Sequence, residues 1–250
     1  MAAPEIPPPS VFHDAQDRMA FLPNYYAWIC SHFSDQISGT VLELGSGAGF
    51  VVRCYADRVE RVIAVDLEEE LLARLAAKYP PGKIRTAKVD LGGDWKALEG
   101  VRADAIVALD VLEHFEDDDG FVAKLASHLV PGGKAVLKVP AQSRLYGEID
   151  KVSGHWRRYD PDGLAALMAR HGFATVRLRH MNAAGAWGYR LKRHRRASFS
   201  ETFSPTKLKL VNALIPGIAL IDRVPGLKGL SLVGVFELSG SPKKRAASSP

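Results

Sequence analysis

The stretch that most constrains this chain is Val41-Leu42-Glu43-Leu44-Gly45-Ser46-Gly47-Ala48-Gly49-Phe50. An apolar run carrying one acid passes into a loop of alternate glycines, then enters a helix-like pattern at Phe50-Val51-Val52. Strand, glycine turn and helix start, in that order, read as the nucleotide site of an α/β sheet. Glycine lets the backbone take φ > 0 and come close to a ligand without a Cβ clash. The spacing then selects the ligand. A dinucleotide fingerprint needs glycine at its first, third and sixth positions. Counting from Gly45 puts Phe50 sixth, and the glycines fall instead at 45, 47 and 49, with Glu43 just upstream. This spacing argues against a nicotinamide-dependent oxidoreductase, which would share the architecture.

The remaining sequence alternates between strand and helix signals. Strands are expected at Thr40–Leu44, Arg61–Val65, Lys83–Lys88, Ala103–Leu109, Ala135–Val139, Phe173–Arg179 and Leu230–Leu238. Helices are expected at Phe50–Ala56, Glu68–Lys78 and Gly120–Leu129, the last stopped by Pro131-Gly132-Gly133. A further helix starts at Asp160-Pro161-Asp162, with Asp160 as N-cap, and closes at Gly172. Before the first strand, Asp14–Phe33 has helical spacing, with Met19, Leu22, Tyr26 and Ile29 on one face and Pro23 dividing it. The pattern predicts an α/β fold: a Rossmann-like doubly wound sheet of about seven strands, mostly parallel, with a helical cap inserted between strands six and seven. One domain is expected over 11–238, with the cap at 183–227. The ends, 1–10 and 239–250, are rich in Pro, Ser, Ala and Lys and read as disordered.

Composition sets looser bounds. A chain of 250 residues with 47% apolar and 24% charged residues can fill a single core. Cys30 and Cys54 show neither metal-ligand spacing nor a disulfide framework, which fits a reduced, cytoplasmic setting. The first ten residues have no apolar segment of the signal-peptide kind, and the run Val211–Ile221, broken by Asn212 and Pro216, is too short to span a bilayer. A net charge of +5 and a pI near 9.2 favour acidic partners: a phosphorylated substrate, an anionic surface or nucleic acid.

In a doubly wound sheet ligands sit beyond the carboxyl ends of the strands. Three acids stand at such ends: Asp66 after Val62–Val65, Asp90 in Lys88-Val89-Asp90-Leu91, and Asp110 in Leu109-Asp110-Val111-Leu112-Glu113-His114. Any one of them alone reads equally well as a turn or capping residue. Together with the glycine loop and the turn Pro131-Gly132-Gly133-Lys134, they make the chain resemble the class I S-adenosylmethionine (SAM) methyltransferases. The resemblance implies SAM as cofactor, S-adenosylhomocysteine as its product, and no metal. It places the cofactor at Glu43, Gly45, Ser46, Gly47, Gly49, Asp66, Leu67, Asp90, Leu91, Asp110, Val111 and Leu112. Asp66 would accept hydrogen bonds from the ribose hydroxyls, and Asp90 would contact the adenine amine.

Methyl transfer is an in-line displacement, so alignment supplies much of the catalysis, and a base helps when the acceptor is a hydroxyl or a protonated amine. His114 is the first candidate base and His155 the second. The alternative for His114 is a residue packed on the adenosine; for His155, a loop histidine bonded to backbone. The connection Val139–Tyr159 is long, as functional loops tend to be. Its Pro140-Ala141, Leu145-Tyr146 and Gly154-His155-Trp156-Arg157-Arg158-Tyr159 resemble a bacterial subgroup acting on small-molecule, glycan or lipid-linked acceptors, by O- or N-methylation. On that resemblance Tyr146, Arg157, Arg158 and Tyr159 are candidate substrate residues. Arg157 and Arg158 could clamp a carboxylate or phosphate, or pair with the Asp160–Asp162 region.

Two further features suggest a partner. Arg190–Arg196 holds five Lys and Arg, and Leu208–Leu220 is apolar. They would form either a peripheral membrane patch admitting a lipid-linked acceptor or a solvated face followed by a helix lying over the sheet. Nucleic acid as the partner is disfavoured. The Asn/Asp-Pro-Pro-Tyr/Phe motif of exocyclic-amine methylation is absent, and neither cysteine follows strand four or five.

Overall fold

A computed structural model describes residues 18–192 and 204–239. Seven strands form one sheet in the order β3-β2-β1-β4-β5-β7-β6. They are β1 (Thr40–Leu44), β2 (Arg61–Asp66), β3 (Ile84–Lys88), β4 (Ala103–Leu109), β5 (Leu129–Pro140), β6 (Phe173–Met181) and β7 (Ser231–Leu238). The first five pair in parallel, and β7 lies antiparallel between β5 and β6. The order in which strands are added reverses between β1 and β4, and that switch point opens a crevice at their carboxyl ends.

All five residues of β1 are buried, as expected of a strand covered on both faces. Leu42 and Leu44 face one apolar layer with Ile63, Val65 and Ile106; Val41 faces the other with Val62, Ala105 and Val107. The helices are α1 (Pro23–Cys30), α2 (Glu69–Ala76), α3 (Asp118–Ser127), α4 (Glu148–Val152), α5 (Pro161–Arg170), α6 (Ala183–Lys192) and α7 (Pro205–Ile221). Pro23 does not bend a longer helix but begins α1, where its missing N–H costs nothing. The segments α6 and α7 occupy the expected insertion between β6 and β7. There α7 docks on α1 through paired bonds: Asn24 N to Asn212 Oδ1 at 2.8 Å and Asn24 Nδ2 to Asn212 O at 2.9 Å.

Four local expectations need correction. Phe50–Ala56 is not an α-helix: two 3₁₀ turns, Val52–Cys54 and Ala56–Arg58, take its place. Tyr55, at φ −136° and ψ −13°, leaves the helical region and breaks the run, its hydroxyl drawn down to donate to buried Glu43 Oε2. Pro131-Gly132-Gly133 does not precede strand five but lies within β5. The strand pairs Leu129 with Ala103, loops out, and resumes at Lys134 opposite Ala105. Helix α3 starts two residues early, because Asp117 caps it by accepting from Gly120 N at 2.9 Å. Asp160 precedes α5 without capping it; its carboxylate accepts instead from the Ser143 hydroxyl.

Candidate functional site

A cavity of about 480 Å³ opens at the carboxyl ends of β1, β2 and β4. Its floor is the glycine loop, tied down on both sides. Gly45 N and Ser46 N both donate to Val65 O, at 2.8 and 2.9 Å. The Ser46 hydroxyl donates to Glu43 O at 3.0 Å and accepts from Val65 N at 3.1 Å. Gly47 N donates to Asp66 Oδ2 at 2.7 Å, while Asp66 Oδ1 accepts from Glu68 N at 3.1 Å. Gly45 and Gly47 take φ +72° and +48°, the left-handed region that glycine enters without strain. A Cβ on Gly45 would meet Val111 Cγ2 at 3.0 Å, so the loop backbone and Val111 share one narrow space.

Of the twelve residues expected to hold the cofactor, Glu43, Gly45, Ser46, Gly47, Asp66, Leu67, Asp110 and Val111 line this cavity. The other four stand elsewhere. Gly49 has a packing role: at φ +77°, a Cβ there would drive into the Leu75 side chain of α2. Leu112 is fully buried in the core. Leu91 packs against that core, and Asp90 turns its carboxylate into its own loop, accepting from Gly92 N at 2.8 Å. Sequence reasoning missed the roof: Met19, Tyr25, Tyr26 and Ile29, with Phe50 from the loop. Tyr26 stacks on Phe50 at 5.2 Å between centroids, and the Arg53 guanidinium stands over both rings. The helical spacing of Met19, Tyr26 and Ile29 carried that signal, but their common face reads equally well as ordinary core.

Glu43, beneath the loop, is buried, and burial pushes its carboxyl up to about 8 against the opposing effect of the Tyr55 hydrogen bond. Asp110 closes β4 at φ +55°, a conformation that costs a non-glycine residue energy and marks functional ends of strands. Its carboxylate pairs with Lys138 Nζ, a buried ammonium on β5.

A second polar group lies past the ends of β4 and β5. The 3₁₀ turn Leu112–His114 brings Glu113 and His114 beside His155 from the long connection, with the imidazole rings edge to face at 4.9 Å. Each histidine is held at Nδ1: His114 against Gly154 O at 3.2 Å, His155 against Asp150 Oδ1 at 3.2 Å. His114 is exposed, yet the desolvation imposed by its packed neighbours pushes it down to about 4, with His155 adding to the effect. Glu113 is fully buried, and neither of its carboxylate oxygens has a hydrogen-bond partner among the described residues. Burial, with the charge of Asp110 adding to it, raises its carboxyl well above the usual range.

Asp150 is the hub of the surrounding network. It accepts from Gly147 N at 2.9 Å, Arg158 Nε at 2.9 Å and the Tyr189 hydroxyl at 2.5 Å, as well as facing His155. Burial alone would raise its carboxyl, but the hydrogen bonds from His155, Arg158 and Tyr189 hold it down at about 2. The expected substrate residues are therefore largely engaged by the protein itself. Arg158 is buried on Asp150 and also donates to Ala141 O at 3.1 Å, so it is not an anion clamp. Arg157 pairs with Asp118 at 3.0 Å, not with the Asp160–Asp162 region. The Tyr159 hydroxyl donates to the same Asp118 at 3.0 Å, and Tyr146 donates to His155 O at 2.8 Å.

Arg190 donates to Gln142 Oε1 at 3.2 Å, while Arg193, His194, Arg195 and Arg196 lie outside the described residues. Among the described residues no helix is long and apolar enough to cross a membrane. Leu210, Leu214 and Leu220 of α7 are nevertheless more than half exposed.

A family described as methyltransferase domain matches residues 13–178. A probable S-adenosylmethionine-dependent methyltransferase of Mycobacterium tuberculosis is 29% identical over 155 residues, which cover 57% of this chain and 55% of that protein. A ubiquinone biosynthesis O-methyltransferase of Rickettsia felis is 28% identical over 111 residues, 44% of either chain. The chain thus spans about half the length of these curated relatives. In fold it is similar to the solved structure of an S-adenosylmethionine-dependent methyltransferase from Mesorhizobium loti. That likeness has a TM-score of 0.55 at 18% identity and covers 89% of this chain and 96% of the other.

Proposed function

The chain belongs to the methyltransferase-domain family, and from that premise we propose that it binds SAM in the glycine-loop cavity and methylates a hydroxyl of a small-molecule acceptor. The observation that carries the reading is the cavity itself: positive-φ glycines held by Asp66 and Val65 at the carboxyl ends of β1 and β2. Its volume lies in the ordinary range for a small-ligand site. SAM supplies a methyl group already activated by its sulfonium. The chain's residues have simpler tasks. Gly45 and Gly47 let backbone approach the ligand, Asp66 offers carboxylate oxygens to hydroxyl donors, and Tyr25, Tyr26 and Ile29 shut out water from above. The acceptor would enter from the side of His114 and His155, past the end of β4. The O-methyltransferase named among the relatives supports a hydroxyl acceptor. The free thiols Cys30 and Cys54 fit a reducing, cytoplasmic setting.

Calorimetry and thermal shift with SAM and with NAD test this reading. One SAM per chain is expected, with stabilisation of about 2.7 kcal/mol at a hundred times Kd, and no shift with NAD. A shift with NAD but not SAM would overturn it.

The exposed leucines of α7 favour a second element, in which the acceptor is carried on a lipid and α7 rests on the bilayer surface. Co-sedimentation with anionic liposomes should be seen for the full chain and lost in a Leu210→Glu/Leu214→Glu variant. No sedimentation of the unaltered chain would leave a soluble acceptor.

A further inference from the structure

We propose that Glu113, His114 and His155 form a site for one divalent transition-metal ion, open on the acceptor side. This deepens the methyltransferase reading and rests on it for the role of the ion, though not for its binding. Sequence alone leads to no metal here. His155 sits far along the chain from His114, on a connection whose course only the structure gives.

Three observations converge. One ligand atom from each of the three side chains lies within 4.8 Å of the other two. Glu113 is fully buried, with both carboxylate oxygens unpartnered among the described residues. Leaving a buried polar group unsatisfied costs about 1–3 kcal/mol, and a charged one more, so such a group calls for a partner. A cation bound between Glu113 and the two imidazoles would provide it.

The third observation is the way the histidines are held. In each ring Nδ1 faces an oxygen acceptor: Gly154 O for His114, Asp150 Oδ1 for His155. That arrangement fixes the proton on Nδ1 and leaves the Nε2 lone pair free. It is how metal-binding histidines are oriented, with the second nitrogen donating to a carbonyl or a carboxylate. Asp150 in turn is fixed by Arg158, Tyr189 and the Gly147 amide, so the carboxylate–histidine pair is rigidly supported.

Two imidazole nitrogens and one carboxylate suit a zinc-like ion better than magnesium or calcium, which prefer oxygen ligands. Three protein ligands leave the fourth position of a tetrahedral ion open. Ligand atoms around such an ion stand about 3.3 Å apart, given metal–ligand distances of about 2.0–2.1 Å. The observed spread contracts to that by small side-chain rotations. The site follows Asp110 and Val111, which line the cofactor cavity, by only a few residues. An acceptor hydroxyl taking the open position would become more acidic, and its proton would leave to solvent. Paired neighbouring hydroxyls would suit an ion able to expand to five ligands.

The test uses the full, untagged chain stripped with a chelator, then titrated with Zn²⁺ or with Co²⁺, whose absorption reports a tetrahedral nitrogen and oxygen environment. One equivalent per chain is expected. Glu113→Gln and His155→Ala should each weaken binding at least ten-fold and abolish the Co²⁺ spectrum. Glu113→Gln is the cleaner variant, because it breaks no hydrogen bond among the described residues. Absence of stoichiometric binding, or affinity and spectrum unchanged in both variants, would overturn the site. SAM affinity, measured in parallel, should stay within two-fold in Glu113→Gln. Failure of the unaltered chain to bind SAM while holding the metal would overturn the methyltransferase reading and leave the metal site standing.

Discussion

The two buried glutamates near the carboxyl edge of the sheet, Glu43 and Glu113, belong to regions built in different ways. Glu43 lies under a loop assembled from neighbours in sequence: Gly45, Ser46 and Gly47, bonded to the next strand through Val65 and Asp66. Its own partner, Tyr55, is twelve residues away. Glu113 lies in a cluster assembled across the chain, from the turn after β4, the loop before α5, and Tyr189 on α6. The first region is backbone presented to a ligand, and its acid has found a donor. The second is a side-chain network in which Glu113 alone has a carboxyl with no hydrogen-bond partner among the described residues. The difference teaches where variation acts: changes in the first region should be felt as lost cofactor affinity, and changes in the second as lost stability or lost acceptor chemistry.

The largest expected effect sharpens this contrast from the second region. Asp150→Ala removes the acceptor for Arg158, which stays buried with its charge uncompensated. Breaking a buried pair on one side costs about 3–5 kcal/mol. Urea denaturation should show that loss, while the SAM affinity of the folded fraction is retained. A variant with unchanged stability would mean that Asp150 is not the hub of the network.

The next effect comes from the first region and has the opposite signature. Asp66→Ala removes the group that anchors the Gly47 amide and that would accept from the cofactor's ribose. The expected loss is about 2–3 kcal/mol of SAM binding, some thirty- to two-hundred-fold in Kd by calorimetry. Stability in the absence of ligand should change less than in Asp150→Ala. A folded variant with unaltered affinity would remove Asp66 from the site and break the comparison.

The two regions also differ in how far they could be read from sequence. Strand positions, the glycine loop and the acids at strand ends follow local rules of periodicity and turn chemistry, so β1, β4, Asp66 and Asp110 are legible. The errors fall where a distant contact overrides local preference. Tyr55 breaks an expected helix because Glu43 holds its hydroxyl. Pro131–Gly133 bulges out of β5 because the pairing with β4 resumes beyond it. Asp160 gives up its capping role to the Ser143 hydroxyl. In the second region nearly everything is of this kind. His155 was visible as a residue, but its meeting with His114 and the burial of Arg158 on Asp150 depend on the path of the connection.

The last prediction concerns Glu43 and is read in the slope of a pH profile. Burial raises its carboxyl from the usual value of 4.5 to about 8. Between those values the folded chain keeps a proton that the unfolded chain has released, so this contribution to stability is complete below about pH 4.5 and is lost as pH rises towards 8. The slope of such a loss is at most about 1.4 kcal/mol per pH unit. Glu43→Gln stays neutral throughout and still offers an oxygen to the Tyr55 hydroxyl. Denaturation at pH 5, 6.5 and 8 should therefore show the variant gaining on the unaltered chain as pH rises, by about 1 kcal/mol or more. Glu113 titrates alike in both proteins and cancels from the difference. Parallel profiles would mean that the Tyr55 hydrogen bond already stabilises the ionised carboxylate. Saturating SAM separates the two cases further. It carries a sulfonium and an ammonium, charges that favour an ionised carboxylate in the same cavity. Cofactor should flatten the profile of the unaltered chain and leave that of Glu43→Gln as it was.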